Sequence, residues 1–277
     1  MRIYVYCVAL CVFCSVSIPA HAELAPWAIE FLNATRASTT ASSSSAVAPI
    51  ITIPATTTVP VVSKPVPKKA TNIYKDIKLK IPHFMQPYAN SCEATSLKMA
   101  LAFKGVIKDE IDILAKFVYR PTVKDWDNNI WDDPQKQFVG YVDVSGKPNG
   151  GYGVYGLPVL RAVEGFGRTG VYATGTDITA SFLAQEIDNN NPVLIWGYTS
   201  LKEPVYTWTT REGVVVTAVR GEHVRVVTGF KGTVDKPIGF YVHDSFYGRK
   251  DEYWTADALI AHIQKIPGVT DQAVAVR

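Results

Sequence analysis

Gln86-Pro87-Tyr88-Ala89-Asn90-Ser91-Cys92-Glu93-Ala94-Thr95-Ser96-Leu97-Lys98-Met99-Ala100-Leu101-Ala102-Phe103-Lys104-Gly105 is where loop gives way to helix. Ala94, Leu97, Met99, Ala100, Leu101 and Phe103 make a wide apolar face, and Gly105 is a stop signal, so a helix is expected over 92–104. Cys92 then stands at the helix N-terminus, where the backbone dipole favours a thiolate. A cationic His nearby can lower such a thiol to a pKa of about 3.5–7.5. Gln86, six residues upstream, is placed to offer a side-chain amide to a developing oxyanion beside the Cys92 N–H.

Working outward, the N-terminus changes the meaning of that cysteine. Residues 1–22 run from Met1-Arg2 through an apolar stretch, Ile3–Ile18, to Pro19-Ala20-His21-Ala22, a small-x-small end. This reads as a secretory signal peptide cleaved after Ala22, and the apolar run is short for a membrane span. No second run of spanning length follows. Cys7, Cys11 and Cys14 leave with the signal, so an exported, extracytoplasmic chain (periplasmic or secreted) keeps Cys92 alone. A lone thiol in an oxidising compartment invites a functional explanation, although a buried inert cysteine is the plainer one.

Residues 23–70 are rich in Ser, Thr, Pro, Ala and Val, with Ser42–Ser45 and Thr56–Thr58 as runs, and read as a disordered linker. Residues 71–277 form the expected domain. The whole chain has 277 residues, 47% hydrophobic and 19% charged, with net charge +3. That balance offers no basic footprint for nucleic acid.

Within the domain, strand is expected at 78–82, helices at 109–118, 158–164 and 177–188, and a loop-like stretch at 120–155. Strands follow at 193–198, 205–210, 214–219, 223–230 and 238–244, then a helix at 256–264. Helices first and an antiparallel sheet after gives an α+β class.

A thiol nucleophile needs a base and an orienter for that base. Four histidines lie beyond the signal: His83, His223, His243 and His262. If 223–230 and 238–244 form a hairpin through loop 231–236, Phe230 opposes Pro237 and His223 opposes Asp244. Opposed residues share a face with Cβ atoms about 4.5–5.5 Å apart, near enough for a carboxylate to orient an imidazole. A one-residue slip would oppose His223 to His243 instead.

Pro82, Gln86, Ser91–Leu101, His223–Phe230 and Tyr241–Asp244 together resemble the papain-like cysteine peptidases of the bacteriocin-leader-processing type. The narrower resemblance is to their stand-alone bacterial C39-like branch. Asp132-Asp133-Pro134, Phe138-Val139-Gly140, Tyr152–Tyr155 and Asn191–Trp196 are similar to other segments of that branch. The resemblance spans most of 78–248. It implies a papain-like fold, with the Cys on an N-terminal helical part and the His and Asp on a C-terminal antiparallel sheet. It also implies Cys92 as nucleophile, His223 as base, Asp244 as orienter, Gln86 as oxyanion donor, a peptide or protein substrate and no cofactor. Glu93 replaces the Gly common in exporter-linked enzymes, and Ser245 stands where Pro is frequent, so substrate choice stays open.

Other motifs carry less. Gly151-Tyr152-Gly153-Val154-Tyr155-Gly156 fits a dinucleotide fingerprint by letters, but no expected strand leads into it. Asp125–Asn129 resembles the start of a calcium loop but lacks Gly at its sixth place and an acid at its twelfth. No clustered Cys and His suggest a metal. Residues Trp126, Trp131 and Tyr141 are expected to line a cleft from a lid loop. Three alternatives to a peptidase stay open: a thiol amidase or acyltransferase on cell-envelope components, a catalytically silent binding module on a Ser/Thr/Pro stalk, and an inhibitor or immunity-type partner.

Overall fold

In a computed structural model, residues 73–143, 150–199 and 205–277 are described. The signal peptide expected at 1–22 and the linker at 23–70 lie outside them. The elements in chain order are β1 (Lys75–Lys78), α1 (Cys92–Phe103), α2 (Glu110–Lys116), β2 (Val139–Gly140), β3 (Gly151–Gly153), α3 (Gly156–Gly165) and β4 (Gly170–Thr174). Then come α4 (Ala180–Asp188), β5 (Val193–Tyr198), β6 (Tyr206–Thr209), β7 (Val215–Ala218), β8 (Glu222–Gly232), β9 (Pro237–Asp244), β10 (Arg249–Thr255), α5 (Ala256–Ile263) and β11 (Gln272–Val276).

The main sheet is antiparallel, in the order β10-β9-β8-β5-β11-β4. β1 pairs with the far half of β8, Lys78 opposite Gly229, beyond the stretch that β5 occupies. The helical part carries the cysteine and the sheet carries His223 and Asp244, as the α+β expectation has it. Among the described residues no helix is long and apolar enough to cross a membrane.

α1 packs across β8 and is buried on nearly every face, with Lys98 only half-buried. An amphipathic stripe would not permit this, so its polar residues need partners inside. The Ser96 hydroxyl donates to the Val224 carbonyl at 3.2 Å, and the Thr95 hydroxyl donates to the Glu110 carboxyl. These bonds fix the rotation of α1 against the sheet and hence the direction in which Cys92 points.

Five strands escape the sequence pattern: the short β2 and β3, inside the stretch expected to be loop-like, and β4, β10 and β11. β11, Gln-Ala-Val-Ala-Val, is wholly buried between β5 and β4, and its small residues give little alternation. β4 follows a glycine-rich turn, and β10 is an edge strand of mostly charged and half-exposed residues with a bulge between Arg249 and Glu252. The expected strand at 78–82 lies three residues earlier, at Lys75–Lys78.

Candidate active site

The hairpin that carries the histidine differs from the expected one. β8 continues through Lys231 to Gly232, which opposes Pro237, and the turn is confined to 233–236. Within it the Lys236 N–H donates to the Thr233 hydroxyl at 3.0 Å. Every expected pairing near the histidine is therefore displaced by two residues: Val226 opposes His243, which sets Arg225, not His223, level with Asp244. A displacement of two preserves which face a side chain takes. His223 consequently stays on the face of Asp244 and reaches it diagonally.

That diagonal is closed by a hydrogen bond. The His223 Nε2–H donates to Asp244 Oδ1 at 3.0 Å, and Arg225 Nε donates to Oδ2 at 2.8 Å. Oδ1 also accepts from the Phe246 and Tyr247 N–H groups at 2.9 and 3.0 Å. Burial works to raise the Asp244 carboxyl, but the His223 bond, the Tyr247 N–H and Arg225 outweigh it and hold it well below the usual carboxylate range. For His223, burial is the larger influence and lowers the imidazole against the pull of Asp244. The pair is a neutral imidazole and a carboxylate, and donation from Nε2 leaves the Nδ1 lone pair as the basic site.

Cys92 is the first residue of α1, as expected. It lines a cleft of about 360 Å³ that His223, Gln86, Asn90 and Phe246 also line. Its environment is not the one expected. The thiol is buried and donates to Glu93 Oε2 at 3.2 Å. Burial and the neighbouring Glu93 and Glu222 carboxyls push it well above the ordinary thiol value, and the Val224 amide opposes them only in part. The low-pKa thiolate expected from the helix terminus is thus corrected: burial of the sulfur, and then the two carboxyls beside it, outweigh the dipole.

Glu93 is held in turn. Its Oε1 accepts from the Val154 N–H at 2.7 Å, and burial pushes its carboxyl up to about 7. The close approach requires Gly153, whose φ is +122° and where a Cβ would stand 2.1 Å from Oε1. So the glycines of the rejected dinucleotide fingerprint serve packing here, in β3 and at the start of α3.

Gln86 lines the cleft, with its amide already engaged. Nε2 donates to the Tyr88 and Ala89 carbonyls at 2.9 and 3.0 Å, and Oε1 accepts from the Ser245 hydroxyl at 3.0 Å. Ser245 therefore fastens the Gln86 loop to the end of β9.

The other histidines lie apart. His243 faces away from His223, its Nδ1 accepting from the Asp251 N–H and its Nε2 at 3.2 Å from the Ile81 carbonyl. His83 Nε2 meets the Asp244 carbonyl at 3.1 Å, and His262 Nε2 accepts from the Tyr198 N–H at 3.3 Å. The lid aromatics also fall elsewhere. Trp131 is buried against Trp208, and the aromatic walls of the cleft are Tyr152, Tyr206 and Phe246.

Glu222 was missed altogether. It opens β8 directly before His223; the residue is half-buried, and its Oε1 is buried and lacks a hydrogen-bond partner among the described residues. One oxygen each from Glu93 and Glu222 and the Cys92 sulfur lie within 4.8 Å of one another. This is a donor set that a cation would suit, assembled from positions too far apart in sequence to read as a cluster.

Comparison with known proteins agrees with this architecture. A structure from Bacillus anthracis described as a C39-like peptidase superposes with a TM-score of 0.60 at 21% identity, covering 73% of this chain and 98% of its own, which shows the shared fold. A double-glycine-motif protease of an AMS/PCAT transporter, in complex with a leader peptide, gives 0.39 at 15% identity over 74% and 97%. The peptidase domain of Streptococcus ComA, a bifunctional ABC transporter, gives 0.41 at 11% over 70% and 95%. No curated protein is significantly similar in sequence. Residues 78–266 match the Peptidase_C39 like family, and the chain belongs to that family of cysteine peptidases.

Proposed function

We propose that this chain is an exported thiol peptidase that cleaves peptide bonds through Cys92, His223 and Asp244. The observation that carries the reading is the His223–Asp244 hydrogen bond at 3.0 Å, presented on the same cleft that Cys92 lines. In the resting site the thiol and the imidazole are both neutral. His223 Nδ1 therefore takes the thiol proton as sulfur attacks the carbonyl carbon, rather than beforehand. Asp244, fixed by Arg225 and two backbone N–H groups, keeps the other ring nitrogen protonated and stabilises the imidazolium that forms.

The tetrahedral oxyanion is stabilised by the Cys92 N–H at the start of α1 and by the Gln86 amide, which exchanges a backbone carbonyl for the oxyanion. His223 then returns its proton to the leaving amine, and water releases the acyl group from sulfur. The export reading rests on the Met1–Ala22 pattern and places the enzyme outside the cytoplasm.

The test is a mixture of peptides incubated with the purified enzyme and read by mass spectrometry, beside Cys92→Ala. New termini formed by the wild type alone support the reading. Identical products from Cys92→Ala, or none from either protein, reject it.

A further inference from the structure

The reaction proposed above has no use for Glu222. A buried carboxyl oxygen without a donor is costly, and a second carboxyl beside it raises the cost. Here Glu222 Oε1 is buried and unpartnered among the described residues, and it borders the cleft within reach of both Glu93 and the Cys92 sulfur. Glu93 is spoken for by the Val154 N–H and the thiol. Glu222 is the group in the set with acceptor capacity left over, and it stands where a substrate must lie to be attacked.

Fixed cations nearby do not fill that role. Burial and the neighbouring Glu93 push the Glu222 carboxyl well above the usual carboxylate range; Arg225 opposes them only from a distance, with its Nε committed to Asp244. Arg220 lies on the same rim, where its charge only partly opposes the burial that pushes the Tyr206 phenol up to about 12. Tyr152 and Tyr206 supply aromatic walls, and an ammonium or guanidinium is stabilised over such faces.

We infer that Glu222, with Glu93 behind it, receives a cationic group of the substrate, so that the peptides cleaved carry a Lys or Arg side chain or a free α-ammonium close to the scissile bond. This inference rests on the peptidase reading for its substrate. The bound cation would also offset the share of the thiol's upward shift that the two carboxyls add to burial, so that the correct substrate helps ready its own nucleophile.

The test uses charge-matched thiol reagents on the intact protein, which need no turnover. Cys92 is modified with 2-aminoethyl, methyl and 2-sulfonatoethyl methanethiosulfonate, each rate normalised to a small free thiol, in wild type, Glu222→Gln and Glu222→Asp. Wild type should favour the cationic over the neutral reagent by about tenfold or more. The preference should collapse in Glu222→Gln and persist in Glu222→Asp. Equal normalised rates in the wild type, or a preference that survives in Glu222→Gln, overturn the inference. So does loss of reactivity with Zn²⁺ that a chelator restores without any discrimination among the reagents, because the carboxyls would then serve a metal.

Matched peptides carrying Lys or norleucine, and Arg or citrulline, separate the two claims. Cleavage without charge preference overturns the inference and leaves the peptidase standing. A cation preference at Cys92 without cleavage of any peptide overturns the peptidase and leaves the cation site.

Discussion

Replacing Glu93 by Gln should make Cys92 a better nucleophile. Glu93 Oε2 lies 3.2 Å from the sulfur, so at an effective dielectric of about 20 the repulsion between carboxylate and thiolate is about 5 kcal/mol. That is an upper bound, because the cleft admits water and Glu93, with a pKa of about 7, is only partly ionised near neutrality. Taking half of it gives a fall of about two units in the thiol pKa. Gln keeps the acceptor for the Val154 N–H and can turn an N–H toward the sulfur, so the fold around Gly153 needs no change. A two-unit fall raises the thiolate fraction at pH 7 about 100-fold, but a Brønsted slope of about 0.5 returns about tenfold of that in lower intrinsic reactivity. The net gain in iodoacetamide rate at pH 7 is then about tenfold. The assay is the alkylation rate of Cys92 from pH 5 to 10, read by intact mass. A midpoint unchanged or higher in Glu93→Gln would refute the claim that this carboxyl holds the thiol protonated.

Three further outcomes follow. Gly153→Ala puts a Cβ into the Glu93 carboxyl at a positive φ and should cost about 3 kcal/mol or more in urea unfolding; a change below about 0.5 kcal/mol would contradict that packing. Arg225→Met removes the Nε partner of buried Asp244 and should cost about 3–5 kcal/mol, and because the Asp244 pKa is depressed in the folded state, its contribution is present above the ordinary value of 3.8 and lost as pH falls below it. The slope of stability against pH below 3.8 should therefore flatten in Asp244→Asn, and an unchanged slope would contradict the pairing. Gln86→Ala should lower kcat by about 10²–10³ if its amide serves the oxyanion; a fall in stability with kcat intact would reduce it to the loop brace that its bonds to Tyr88, Ala89 and Ser245 already make it.

The residues that touch in sequence were the legible ones. Cys92 at a helix start, Gly105 as its stop and β5 over Val193–Tyr198 follow from local pattern and appear as expected. The hairpin was legible in kind but not in register, because Lys231-Gly232 reads as turn and serves as strand. Asp244 nevertheless meets His223, since two residues of displacement leave the face unchanged. β10 and β11 were hidden for opposite reasons, one charged at an edge and the other made of small residues at the centre. The acidic surroundings of Cys92 were not legible. Glu93 looks like an ordinary first-turn helix acid, and only the crossing of α1 over β8 brings Glu222 to it. One hint was present: Glu93 directly follows the candidate nucleophile, and a carboxyl beside a thiol disfavours its thiolate.

The account turns on Cys92 being the nucleophile of peptide cleavage. The most direct measurement is to titrate the active enzyme with substoichiometric iodoacetamide, locate the label by peptide mapping, and follow residual peptide hydrolysis in the same samples. The account predicts that activity falls in proportion to Cys92 carbamidomethylation and reaches zero when Cys92 is fully labelled. Peptide hydrolysis that continues in a fully labelled sample would contradict it.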